Sequence, residues 1–209
     1  MLTMFHAATS LLFASTFLFS PTSSAPTSMV ISRQTGGAQC ADVMVFFARG
    51  TTEPAPIGTV VGPPLKAALK SALGQKSMSF MGVDYPADIP GFLQGGSPEG
   101  SRTMAKDLTN AANACPKAAL VTVGYSQGAQ LVHNSAQQLS PDVQSRVAAA
   151  LAFGDPLNGQ PVTGVSADQT KVICHFGDNI CAGGNLVLAP HLTYGRDTRD
   201  AAKFVASKV

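Results

Sequence analysis

The chain has 209 residues, 45% hydrophobic and only 12% charged, which fits one ordinary domain and excludes a solvated disordered chain or a long coiled coil. Fourteen Lys and Arg against twelve Asp and Glu leave a net charge of +2. There is neither a basic footprint for nucleic acid nor an acidic tail, and the expected partner is neutral, such as an uncharged polymer.

The first stretch, residues 1–25, reads as a secretory signal peptide: an apolar core at Leu11-Leu12-Phe13 and Phe17-Leu18-Phe19 precedes Pro21 and the small-residue run Ser23-Ser24-Ala25. Its apolar run is too short to span a bilayer, and no later segment is longer, so no transmembrane segment is expected. Residues 26–37 are expected to be a polar leader or propeptide and 38–209 a single folded domain, secreted and extracellular.

Five apolar, partly β-branched runs follow: Val43 to Ala48, Met78 to Val83, Ala119 to Gly124, Val147 to Phe153 and Lys171 to Phe176. Continuous apolar strands belong in a sheet covered on both faces. Helical patterns separate them at Val60 to Leu73, Gly100 to Ala114 and Ala129 to Leu139, and a last one runs from Thr198 to Ser207. Alternation of this kind predicts an α/β three-layer sandwich around a five-stranded parallel sheet with right-handed crossovers.

Four cysteines in an oxidising compartment predict two disulfides. Cys40 and Cys115 each precede a strand and so share one edge of a parallel sheet, whereas Cys174 lies near the end of the last strand, at the opposite edge. The expected bridges are therefore Cys40–Cys115 and Cys174–Cys181. By loop-closure entropy they contribute roughly 4 to 5 and about 2.5 kcal/mol. No CxxC or HxxxH spacing suggests a metal, and no cofactor is expected.

Gly124-Tyr125-Ser126-Gln127-Gly128 follows the third strand and opens a helix, the context in which G-x-S-x-G is a nucleophile elbow. Ser126 then needs a base, and the base an orienting acid. His6 leaves with the signal peptide, and His133 lies seven residues along the same helix from Ser126, roughly 10 Å away and out of reach. His133 is expected at the surface and His175 packed within the last strand. His191, in a loop beyond that strand, is the expected base. Asp178, inside the Cys174–Cys181 loop, is the expected acid. Its competitor Asp155 reads as a turn aspartate of Gly154-Asp155-Pro156.

Together with Phe47-Ala48-Arg49-Gly50-Thr51-Thr52-Glu53, Gly177-Asp178-Asn179-Ile180-Cys181 and His191-Leu192-Thr193-Tyr194-Gly195, these motifs resemble the cutinase family of serine esterases, over about Ala41 to Gly195. The resemblance implies a small lidless α/β-hydrolase with the triad Ser126, Asp178 and His191. It also implies an oxyanion hole from the amides of Gln127 and Thr51, helped by the Thr51 hydroxyl. The expected activity is hydrolysis of cutin-type polyester and short to medium acyl esters. An acetylxylan esterase or lipase-like member of the superfamily is the alternative, and a non-catalytic binding or elicitor protein the distant one.

Two stretches flank the serine. Tyr85 to Gly96 carries Ile89, Phe92 and Leu93, and Gly183 to Pro190 carries Leu186, Val187 and Leu188. Exposed, these side chains would form an apolar rim for acyl chains; buried, they would be ordinary core. Asn185 stands where an apolar residue is common in fungal cutinases. A monomer is expected of an enzyme working on a solid.

Overall fold

The structure, a computed structural model, describes residues 40–209. The expected signal peptide and leader lie outside the described residues. Strands β1 (Val43–Ala48), β2 (Met78–Gly82), β3 (Ala119–Tyr125), β4 (Val147–Phe153) and β5 (Thr170–Ile173) form one sheet in the order β2-β1-β3-β4-β5. Every pairing is parallel. Among the described residues six α-helices accompany it: α1 (Gly62–Ala72), α2 (Ile89–Leu93), α3 (Pro98–Ala114), α4 (Gln127–Ala136), α5 (Pro141–Gln144) and α6 (Thr198–Ala206).

The period-2 pleat sorts the apolar runs into two cores. Val43, Val45, Phe47, Val123, Leu151 and Phe153 pack against Leu65 and Leu69 of α1 and Ala201 and Val205 of α6. Met44, Phe46, Leu120 and Ala150 face the other way, onto Met104 and Leu108 of α3 and Leu131 and Val132 of α4. Truncating one of the fully buried leucines to alanine costs about 2–5 kcal/mol.

Local chemistry sets the helix ends. Ser97 caps α3 by accepting from the Gly100 amide at 3.2 Å, Pro98 sits in its first turn, and Glu99 faces the positive end of the helix dipole. That helix therefore starts two residues before the Gly100 expected. Two short helices, α2 and α5, arise where loop was expected; Asp88 and Ser140 cap them, accepting from the amides of Gly91 and Val143. The last strand corrects the sequence reading, ending at Ile173 rather than Phe176. Beyond it Cys174 is bridged to Cys181, Gly177 takes φ 81°, and the chain turns outward, leaving Phe176 fully exposed.

The second bridge, Cys40–Cys115, ties the segments entering β1 and β3, which are neighbours. From β1 the chain steps first to β2 on one side, and β3 is then added on the other. This places the topological switch, and hence the binding crevice, at the carboxyl ends of β1 and β3.

Candidate active site

Ser126 sits at that switch point with φ 56° and ψ −121°, a conformation that costs a residue with a Cβ about 1–3 kcal/mol. Its neighbours hold it there. A Cβ at Gly124 would lie 2.1 Å from the Gly128 carbonyl oxygen, and one at Gly128 would lie 2.0 Å from that of Ala48. Strand β3, α4 and β1 approach so closely that glycine is required at both positions. Ser126 occupies the N-cap position of α4, yet its side chain makes no capping bond and stays available for chemistry.

The structure brings His191 and Asp178 together. His191 donates Nδ1–H to Asp178 Oδ2 at 2.8 Å, with both side chains buried. His191 Nε2 has no hydrogen-bond partner among the described residues. Tyr194 donates its hydroxyl to the same Asp178 oxygen at 2.6 Å, and the Ile180 amide donates to Oδ1 at 3.0 Å. Burial pushes the Asp178 pKa upward, but the hydrogen bonds from Tyr194 and His191 outweigh it and hold the carboxyl below its ordinary value. Burial, reinforced by that same bond, pushes the Tyr194 hydroxyl the other way, keeping it a donor.

Thr51 follows β1, and Gln127 opens α4, so the Gln127 amide is one of the helix donors with no intrahelical acceptor. The fully buried Gln127 side chain ties three segments together. Its Nε2 donates to Thr51 Oγ1 at 2.9 Å and to the Asp88 carbonyl at 2.8 Å. As Thr51 Oγ1 accepts there, its own proton is free to point elsewhere.

Ser126, His191 and Thr51 line one cleft of about 500 Å³, together with Ile89, Phe92, Leu93, Ile180, Asn185 and Val187. Ile89, Leu93 and Val187 are more than half exposed, so they rim the cleft rather than fill the core. Leu186 and Leu188 are exposed but lie outside its lining.

Two expectations fail. His133 is buried, not at the surface, with Nε2 3.0 Å from Asp155 Oδ2. Asp155 does cap its turn, accepting from the Leu157 amide, but it is also fully buried as the partner of His133. The pair ties α4 to the end of β4 and does not face the cleft. His175 lies beyond β5, only partly buried, and bonds to Asp197.

Several supporting residues were quoted in the motifs without a role. Tyr125 stacks on His191 and donates to its carbonyl at 2.9 Å. Glu53 accepts from the amides of Gly50, Thr59 and Val60, and buried Arg49 donates to the carbonyls of Glu53 and Tyr85. Together they lock the loop that carries Thr51. Gly154, at φ 56°, passes so close to His191 that a Cβ would lie 2.7 Å from both His191 Cε1 and Tyr194 Cε2. Gly154→Ala is therefore expected to displace His191 and lower kcat about 10²-fold, the usual effect of misplacing a catalytic group by about 1 Å. Steady-state kinetics would show it, and wild-type kcat in this variant would refute the packing argument.

A doubly covered parallel sheet, a serine elbow at its switch point and a buried His–Asp pair at the same edge define an α/β-hydrolase. Residues 39–209 match the Cutinase family model. A cutinase of Botryotinia fuckeliana is 59% identical over 179 residues, 84% of this chain and 89% of the relative. Among solved structures, a Trichoderma reesei cutinase in complex with a C11Y4 phosphonate inhibitor superposes with TM-score 0.78 at 45% identity, covering 80% of this chain and 76% of the other. An acetylxylan esterase superposes with TM-score 0.65 at 26% identity, covering 81% and 99%. The chain belongs to the cutinase family and is a carboxylic ester hydrolase. Among the described residues there is no cluster suited to a metal ion, and no helix is long and apolar enough to cross a membrane.

Proposed function

We propose that the protein is a secreted serine esterase that cleaves cutin-type polyester and short to medium-chain acyl esters through an acyl-enzyme. The observation that carries the chemistry is His191: buried, oriented by Asp178 through Nδ1, and unpartnered at Nε2 in the same cleft as Ser126. In this reading Ser126 Oγ attacks the ester carbonyl while its proton passes to His191 Nε2, and Asp178 stabilises the imidazolium. The amides of Gln127 and Thr51 and the Thr51 hydroxyl receive the oxyanion. His191 returns the proton to the departing alcohol, and a water activated by the same base then releases the acid from Ser126.

The apolar rim of Ile89, Leu93 and Val187 supports an acyl rather than a sugar ligand, and a site rimmed by exposed side chains suits an insoluble chain. Secretion is supported by the two disulfides and by the apolar core of the expected signal peptide at Leu11 to Phe19. The domain assignment of residues 38–209 and a monomeric state belong to the same proposal.

The test is a series of p-nitrophenyl acetate, butyrate, octanoate and palmitate run beside cutin and acetylated xylan. Rates for butyrate to octanoate are expected to exceed those for acetate and palmitate by about tenfold, as methylene contacts in an apolar pocket allow, with monomers released from cutin. Activity confined to acetate and acetylated xylan would move the substrate assignment to the acetylxylan esterases.

A further inference from the structure

A second His–Asp pair stands beside the first. His175 Nε2 lies 2.8 Å from Asp197 Oδ2, and His175 Nδ1 lies 3.0 Å from the Pro190 carbonyl oxygen and 3.0 Å from Thr193 Oγ1. The ring stacks on Tyr194 with centroids 4.1 Å apart, and the His175 amide donates to the Tyr194 hydroxyl at 2.9 Å. These contacts lead to the catalytic groups: Tyr194 holds Asp178, and Pro190 directly precedes His191 in the 3-10 turn Ala189–Leu192.

We propose that His175, held by Asp197, is a positioning residue for the esterase: its Nδ1–H donates to the Pro190 carbonyl and fixes the turn that presents His191. This rests on the triad reading above. Carbonyl and carboxylate oxygens only accept, so His175 donates to Pro190 and Asp197 together only as the imidazolium. In that state the Thr193 hydroxyl also donates to Pro190, at 2.9 Å. When the ring is neutral with its proton on Nε2, Nδ1 becomes an acceptor. The Thr193 hydroxyl then turns to it, and the Pro190 carbonyl loses both side-chain donors. The Nδ1 proton of His175 thereby sets how firmly the base is held. The ionisable groups around the ring are Asp197, the stacked Tyr194 and, through Tyr194, Asp178. Lys171 and Asp200 share the groove beside Asp197.

The variants separate the two ring nitrogens, because an asparagine amide takes the place of Nδ1 and a glutamine amide that of Nε2. In the full-length protein, His175→Asn is expected to keep kcat on p-nitrophenyl butyrate within about threefold of wild type. His175→Gln, and His175→Phe which keeps only the stack, are expected to lose about tenfold in kcat, equivalent to 1.4 kcal/mol, with KM unchanged. A p-nitrophenyl alkylphosphonate burst counts the competent sites, so loss of folded protein is corrected for.

Equal kcat in all variants, Gln equal to or better than Asn, or an effect on KM alone would each overturn the proposal. Failure of the triad reading has a different signature: no phosphonate burst in wild type, and activity that survives Ser126→Ala.

Discussion

Ser126→Ala is expected to reduce kcat on p-nitrophenyl butyrate by about 10⁴- to 10⁶-fold while the protein still folds. Ser126 Oγ caps nothing, so its removal deletes no helix-terminal bond. The methyl that remains meets the same backbone constraint as the serine. In the proposed mechanism what is lost is the atom that becomes acylated, and neither His191 nor the amides of Gln127 and Thr51 can substitute for a missing nucleophile. Circular dichroism should be unchanged and the phosphonate burst absent. Residual activity above about one part in 10³ of wild type would mean that another group attacks the ester.

Asp178→Asn is expected to lower kcat by about 10³- to 10⁴-fold with little change in KM. Asp178 Oδ2 accepts two hydrogen bonds, from His191 Nδ1 and from the Tyr194 hydroxyl, while Oδ1 serves the Ile180 amide. An amide supplies only one oxygen. If that oxygen stays with Ile180, the NH₂ group meets two donors, His191 is driven to the opposite tautomer and Nε2 can no longer accept the serine proton.

The same bonds give a pH signature. The folded carboxyl is held below its ordinary value, so its contribution to stability is full above about pH 4, the unfolded value, and disappears as pH falls through the folded one. The Tm advantage of wild type over Asp178→Asn should therefore narrow in acid. An advantage that widens below pH 4 would contradict the direction of the shift.

How much of this was legible in the sequence depends on the range of the interaction. Val43–Ala48 and Val147–Phe153 are read correctly because strands covered on both faces are continuously apolar, a local signal. The G-x-S-x-G elbow is legible because its glycines answer backbone clashes within a few residues and with the adjacent β1. Helix α2 is missed because Pro90 and Gly91 carry turn chemistry, although Asp88 in front of them is a sound cap.

His133 is misread for a different reason. Helix α4 is buried almost all round, from Gln127 to His133, so the usual inference that a polar residue marks the wet face fails. Placing His175 in a strand fails because the Cys174–Cys181 staple ends β5 early. Tyr194 and Gly154 carry no local pattern for their roles. Each acts on a residue distant in sequence, Tyr194 on Asp178 and Gly154 on His191, and such contacts exist only once the sheet has formed.

The backbone at Ser126 also bears on thermal engineering. A chain selected for folding alone would place glycine at the point of the elbow, where φ 56° and ψ −121° suit a residue without Cβ. Ranking variants by melting temperature would therefore favour Ser126→Gly, a change that removes the proposed nucleophile. Position 126 has to be held out of any such screen, and so do Tyr125 and Tyr194, whereas Leu65, Leu69, Ala201 and Val205 of α1 and α6 can be repacked for heat resistance.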